Sequence, residues 1–436
     1  MADDNPSLAA IFGAHDAAGL VAAEHLAGKS GQDEILLFVR TNTGTEQVRE
    51  PFSPFLWLED KSLLGDAEGC DVQTLSGRNT LKVLVRFRSW KAFQKFVTAL
   101  KSETGRNPSD PTAPFFLLND PIQQHLLATG RTLFKGMKFG DLKRMQIDIE
   151  TYTAGGYEFP NPARESDRII AVALADQSGW NEVLSGAQLD EAALIRRVVE
   201  RIRERDPDVI EGHNLFKFDL PYLAARARLH GIKLALGRDG SAPSSRPSRF
   251  SVAERTLSYP RTEIFGRHVV DTFFLAQIYD VSQRSLEGFG LKDIAVHFGV
   301  SAPDRTYLEG SEIARTFDRD PETVLRYARD DILETRAVSD LLSPTYFVQA
   351  QMLPFSYQNV CVRGNGSKID ALLLREYLRE GRSIPLPDFA REFEGGYTDI
   401  FFTGVAKNTH HCDVRSLYPS IILKDDLSPR TDELGV

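Results

Sequence analysis

Met145-Gln146-Ile147-Asp148-Ile149-Glu150-Thr151 is an apolar run interrupted by two acids spaced two residues apart. Its length and its β-branched residues read as a short buried strand. Along a strand, positions i and i+2 point to the same face, roughly 7 Å apart. Asp148 and Glu150 therefore project together, and Ile147 and Ile149 face a core on the other side. Two carboxylates held side by side repel each other and resist desolvation. Divalent cations commonly offset such a cost. An exposed edge strand with two solvated acids is the bland alternative, and further carboxylates arriving downstream at compatible positions decide against it.

Moving outward from this strand, Arg168 to Ala175 is a second apolar strand and Glu191 to Arg205 an amphipathic helix. Asp208 to Asn214 is a strand running into a turn. Pro221 suits the first turn of a helix that continues to His230, which places Asp219 just before a helix N-terminus, where the dipole stabilises a carboxylate. A plain cap is the simpler role for Asp219, and capping and ligation are compatible. Residues 237–262 are rich in Gly, Ser, Pro and Arg, including Arg238, Arg246, Arg249, Arg255 and Arg261; they read as a mobile basic loop or a long hairpin, suited to phosphate contacts if the domain handles a nucleic-acid strand. Gly266 to Thr272 is a strand ending in Asp271, and Ser285 to Val300 reads as a helix. Asp320-Pro321 is a helix start. On that helix Tyr327 and Asp331, four apart, share one face, and Asp330 points to solvent.

The chain has 436 residues, too many for one core, so two or three domains are expected. A net charge of −9 argues against a broadly basic nucleic-acid coat but not against local basic patches. Cys70, Cys361 and Cys412 are far apart and form no metal-like pair, which points to a reducing compartment. The acidic start Met1-Ala2-Asp3-Asp4 lacks the order of a signal peptide, and no apolar run approaches bilayer length. A cytoplasmic protein without membrane contact is expected. Residues 1–135 read as a mixed, mostly β domain, with strands at Glu34 to Arg40 and Leu81 to Phe87 and a helix over Ser89 to Leu100. The aromatic run Pro51 to Leu58 reads as core rather than as a base-stacking platform. From Lys143 to about Leu342, strands and helices alternate as in an α/β sheet domain.

Four acids thus stand in order, Asp148, Glu150, Asp219 and Asp331, with Tyr327 ahead of the last. Two-metal phosphodiester hydrolysis asks for such a set, with two ions held roughly 4 Å apart by carboxylates. The set resembles the proofreading 3′–5′ exonuclease domain of the DEDD superfamily in its tyrosine-bearing subclass: Asp148-Ile-Glu150, Asn214-Leu-Phe-Lys-Phe218-Asp219 and Tyr327-Ala-Arg-Asp-Asp331 match its three motifs. The resemblance implies an RNase H-like exonuclease domain with a mixed central sheet over residues 136–345. It further implies that Asp148, Glu150, Asp219 and Asp331 bind two Mg²⁺ or Mn²⁺ ions. Tyr327 would orient the attacking water, and Asn214 and Phe218 would support the end of the DNA strand being cut.

Beyond Leu342 the resemblance narrows to family B DNA polymerases. Cys412-Asp413-Val414-Arg415-Ser416-Leu417-Tyr418-Pro419-Ser420-Ile421-Ile422 is very similar to their motif A, which makes 346–436 a linker and partial palm; read alone, Ile421-Ile422-Leu423 would be a buried strand. Asp413 would then be a metal ligand of the polymerase centre, and Tyr418, after Leu417, would exclude ribonucleotides. Glu394-Gly395-Gly396-Tyr397 resembles the glycine pair that contacts template, with Phe393 where the family often has tyrosine. No fingers-type Lys-x-x-x-Asn-Ser-x-Tyr-Gly and no Asp-Thr-Asp pair follows. The expectation is an editing exonuclease whose polymerase centre is incomplete, either truncated or completed by a second chain. The competing reading is a non-catalytic fragment that binds DNA or a partner polypeptide.

Overall fold

The computed structural model describes residues 10–28, 31–65, 69–253, 255–388, 397 and 399–435. They form two compact units, Met1–Phe52 with Asp120–Arg375, and Ser53–Asn119 with Glu376–Val436. The first unit opens with an antiparallel sheet of β1 (Leu20–Leu26), β2 (Asp33–Thr41) and β3 (Gly44–Phe52), with β2 in the middle. In the second unit β4 (Phe55–Leu58), β5 (Asp71–Thr74), β6 (Val83–Arg86) and β7 (Phe115–Leu117) pair antiparallel in the order β5-β6-β4-β7. Helix α1 (Trp90–Thr104) brings Phe93, Val97 and Leu100 into the same core as Leu56, Leu58, Val83 and Val85. Ser89 caps it by accepting the Ala92 N–H at 3.2 Å, and Gly105 ends it in the left-handed region at φ 65°. Phe55, Leu56, Trp57 and Leu58 are fully buried, so the aromatic run is core, as read from the sequence.

After α2 (Pro121–Thr129) the first unit continues with β8 (Arg144–Thr151), β9 (Ile169–Asp176), β10 (Asn181–Ser185), α3 (Glu191–Arg205), β11 (Val209–Gly212), α4 (Asp219–Leu229), β12 (Ser244–Val252), β13 (Arg255–Glu263), β14 (His268–Asp271) and α5 (Thr272–Gln283). Helices α6 (Leu291–His297), α7 (Ile313–Arg319), the long α8 (Pro321–Ala350), α9 (Tyr357–Val362) and α10 (Asn365–Arg379) follow. The five-stranded sheet has the order β10-β9-β8-β11-β14; β10, β9 and β8 pair antiparallel, and β8, β11 and β14 parallel. This is the mixed central sheet that the sequence led us to expect, and β8 lies at its centre.

The pleat of β8 separates two environments. Met145, Ile147 and Ile149 join Leu194, Ile195, Val198 and Ile202 of α3 and Leu220 and Leu223 of α4 in one apolar core. The opposite face carries Arg144, Gln146, Asp148 and Glu150, and α8 covers that side. On the neighbouring strand Ala175, Ala173 and Ala171 stand across from Gln146, Asp148 and Glu150 and pack against Ala328 and Ile332 of α8. Three small side chains in a row let the helix approach the sheet closely, which is what brings its polar residues to the acids of β8. Arg144 is tied to α8 through the Ser339 hydroxyl at 3.2 Å, and Gln146 donates to Glu211 at 2.6 Å.

Most of residues 237–262 pair as a long hairpin, β12 with β13, the second of the two forms that the sequence left open. Phe250 and Tyr259 anchor it against Phe274, with the Phe250 and Phe274 rings stacked at 4.3 Å. Arg246, Arg249 and Arg255 are exposed along it; Arg261 is buried and pairs with Glu263 at 3.0 Å. The helix expected over 285–300 is confined to α6, because Ser285 and Leu286 spend their N–H groups on the Asp280 carboxylate at the end of α5. The last element, α11 (Leu417–Lys424), is an exposed helix of the second unit. The sequence Ile421-Ile422-Leu423 is therefore not a buried strand; Leu423 is 83% exposed. Among the described residues no helix is long and apolar enough to cross a membrane.

The alanine ladder makes a direct prediction. Ala173→Leu forces α8 off the sheet and should destabilise the protein by about 1–3 kcal/mol, measured by denaturant unfolding. Unchanged stability would mean that the helix does not rest on this row.

Candidate active site

Strand geometry delivers Asp148 and Glu150, and helix α8 delivers Asp331: carboxylate oxygens of the three residues lie within 4.8 Å of one another. Glu150 and Asp331 are buried, and Asp148 is partly exposed although its Oδ2 is shielded and has no hydrogen-bond partner. Asp219 sits in the first turn of α4, but its carboxylate does not act as the expected cap. Its Oδ1 accepts the Ile149 N–H at 3.1 Å, from the residue between the two strand acids. It is fully buried and close enough to raise the pKa of both Asp148 and Glu150, without belonging to the three-residue cluster.

Burial first, and then the neighbouring carboxylates, hold Asp148 and Glu150 well above the usual carboxylate range. Asp219 is pushed up to about 8 by burial, against the pull of its backbone hydrogen bond. Burial raises Asp331 to about 6, with Arg305 and Lys292 acting the other way. The Arg305 guanidinium, itself buried, donates to Asp331, to Glu334 at 2.7 Å and to the Thr306 carbonyl at 2.7 Å. Tyr327 lies one helical turn before Asp331 on the same face of α8, close enough for the two groups to influence each other's pKa. Burial and the surrounding acids drive the phenol pKa upward, so Tyr327 keeps its proton. Asp330 is not solvated as expected: it accepts the Thr306 N–H at 2.8 Å and fastens the segment that carries Arg305.

The second motif is shaped by a residue whose part was not read from the sequence. Asp271, at the end of β14, accepts the N–H groups of Asn214 at 2.8 Å, Phe216 at 3.1 Å and Phe273 at 3.0 Å. These bonds hold Asn214 in the left-handed region, at φ 63°, a conformation that asparagine tolerates better than most residues. His213 bridges the Thr272 hydroxyl and the Phe289 carbonyl, each at 2.9 Å, and burial lowers its pKa to about 4. Phe218, partly buried, leans on Tyr222 with ring centroids 5.5 Å apart. Arg305, Lys292 and Asp271 gave little sequence signal, because each reaches the site only through tertiary contacts, from a loop, a helix start and a strand end.

The remaining candidates lie elsewhere. Asp413, Leu417 and Tyr418 belong to the second unit and are exposed, and Asp413 accepts the Val414 N–H at 2.7 Å. Gly395 and Gly396 lie outside the described residues.

An all-oxygen donor set with a shielded, unpartnered Asp148 oxygen fits a hard divalent cation. Fold and geometry together define an α/β domain built around a carboxylate site for such cations. Residues 132–286 match the family model described as DNA polymerase family B, exonuclease domain. These residues are thus an exonuclease domain of the family B DNA polymerase type. It is 32% identical over 298 residues to a DNA polymerase of Archaeoglobus fulgidus, a match covering 68% of this chain and 35% of that one. DNA polymerase 2 of Aeropyrum pernix is 29% identical over 299 residues, covering 66% of this chain and 34% of its own length. The chain thus spans about a third of the length of these relatives. The structure of the family B DNA polymerase from Pyrobaculum calidifontis superposes with a TM-score of 0.68 at 22% identity, over 86% of this chain and 52% of that one, a likeness of fold.

The raised carboxyls set a pH dependence. Each binds its proton more tightly when folded, so the stability they contribute to the metal-free protein is full at low pH. It is lost as the pH rises through about 6 for Asp331 and about 8 for Asp219. A divalent cation competes with those protons. A fixed Mn²⁺ concentration should therefore raise the melting temperature more at pH 8 than at pH 5.5, the stabilisation at pH 8 being about 2.7 kcal/mol when Mn²⁺ is at a hundredfold excess over its Kd there. Scanning calorimetry at both pH values checks this; an equal shift at the two would place the cation away from these acids.

Proposed function

We propose that this chain is the metal-dependent 3′–5′ exonuclease, or proofreading, portion of a family B DNA-directed DNA polymerase, acting on single-stranded or frayed 3′ ends of DNA. The observation that carries the reading is the convergence of Asp148, Glu150 and Asp331 within 4.8 Å, with Asp219 bonded to the same strand. These four acids would hold two Mg²⁺ or Mn²⁺ ions; when bound, such ions supply a hydroxide from water and offset the charge that grows at phosphorus.

The protein's own side chains do the positioning. Tyr327, protonated and beside Asp331, offers its hydroxyl to orient the attacking water in line with the scissile bond. Phe218 stacks against the terminal base, and Asn214, fixed by Asp271, supports the strand end. Arg305 holds Asp331 in place and carries opposite charge into the cluster. A mismatched end is preferred, because drawing out a paired end costs unstacking and unpairing energy. Residues 1–135 and 346–436 are the N-terminal domain and the start of the palm in this reading. Asp413, Leu417 and Tyr418 are its motif A, and Gly395 and Gly396 its template-contacting pair; the rest of the polymerase centre is supplied by sequence outside this chain or by a second chain.

Release of deoxynucleoside monophosphates from a 3′-mismatched primer–template tests the proposal, with Mg²⁺ or Mn²⁺ against EDTA and with deoxynucleotides in the same tube. Metal-dependent shortening is expected, and Asp148→Ala should slow it on the order of 10²–10³-fold or more while leaving the metal-free melting temperature no lower. DNA binding without any shortening would instead identify a non-catalytic fragment.

A further inference from the structure

Two cations approach the ring of Tyr327. The Arg305 guanidinium carbon is 5.6 Å from its centroid, and the Lys292 ammonium, from the first turn of α6, is 4.8 Å away. They differ in what else engages them. Arg305 is spent on Asp331, Glu334 and the Thr306 carbonyl. Lys292 donates to the Leu308 carbonyl at 3.1 Å, and its charge draws the carboxyls of Glu150 and Asp331 downward. The ammonium is thus held by a loop carbonyl on one side, set against an aromatic ring on another, and within electrostatic reach of two cluster acids. A helical tyrosine has more than one staggered rotamer, so what packs against the ring decides where its hydroxyl lies.

We propose that Lys292 is a positioning residue of the exonuclease reaction, its ammonium seated against Tyr327 and tethered to the Leu308 carbonyl so that the phenol stays beside Asp331. The assignment rests on the exonuclease reading of the site. Attraction between an ammonium and a ring is electrostatic, so the charge is the part that counts and the methylene stem is not. An exposed or partly exposed lysine also leaves the fold little affected when replaced, whereas a displaced catalytic group is costly: a misplacement of about 1 Å can slow a reaction by about 10²-fold.

Three variants separate charge from tether. Lys292→Arg keeps both, Lys292→Gln keeps a donor for the Leu308 carbonyl but no charge, and Lys292→Met keeps only apolar bulk. Cleavage of a single-stranded oligonucleotide with Mn²⁺ should fall about tenfold or more in kcat for the Gln and Met variants, with KM moving less than about twofold, and the Arg variant should recover most of the loss. A calorimetric titration of the metal-free proteins gives an independent readout. Without the positive charge near Glu150 and Asp331, Mn²⁺ should bind about threefold or more tightly to the Gln and Met variants. Slower cleavage together with tighter metal binding is a combination that general loosening of the site does not produce.

Wild-type rates in Lys292→Gln would reduce Lys292 to a loop tether and overturn the assignment. Equal losses in all three variants, accompanied by a lower melting temperature, would make its role structural and overturn it as well. Wild-type protein that releases no nucleotide would bring down the exonuclease reading and this assignment together. Wild-type cleavage with an unaffected Lys292→Met would remove the assignment alone.

Discussion

The structure depends on negative charge kept out of water. Asp148, Glu150, Asp219 and Asp331 are packed where their mutual repulsion and their desolvation add. Removing water strengthens every electrostatic interaction inside such a site and leaves the acids dependent on whatever positive or protic partner is at hand. The protein provides few: the Ile149 N–H for Asp219 and the Arg305 guanidinium for Asp331. Asp148 keeps an oxygen with no partner at all. The remainder is met by protons or by divalent cations, and the two compete.

This arrangement explains the polar character of the layer between β8 and α8. Buried salt bridges seldom add stability over an apolar pair of the same size, yet breaking one is costly. Here Arg144 pairs with Glu211 at 3.4 Å and with Asp340, and Gln146 shares the same Glu211. Arg144 also reaches the Ser339 hydroxyl on α8. Such pairs fix the helix at one height along the strand. An apolar interface would permit sliding, and a slide of α8 by one turn would carry Asp331 away from Glu150.

Much of this was legible in the amino-acid order. The alternation around Asp148 and Glu150 announced both the strand and its two faces, because a period of two leaves no other way to bury Ile147 and Ile149 together. The spacing of Tyr327 and Asp331 placed them on one face of a helix, and in the structure both are buried on that face of α8. The partners of these residues were harder to see. Arg305 sits in a segment without periodicity, and only the folded chain brings it to Asp331. Asp271 read as the end of a strand; its three backbone hydrogen bonds depend on where the Asn214 turn falls. Asp219 was placed correctly along the chain, but it accepts the Ile149 N–H of the central strand, which β11 does not pair, instead of capping its own helix. The arginine-rich stretch left open loop or hairpin, and Phe250 and Tyr259, buried against Phe274, settle it as a hairpin.

The bond from Ile149 to Asp219 also bears on how the strand finds its partners. A slip of β8 by one residue relative to β9 or β11 would turn Asp148 and Glu150 toward Leu194 and Val198 and Ile147 and Ile149 toward the polar layer under α8. Charged groups pressed into an apolar core are far too costly to persist, so the misregistered sheet has no stable form to fall into. The acids that make the site demanding thereby police its assembly, and the chain has one pairing in which they can be accommodated.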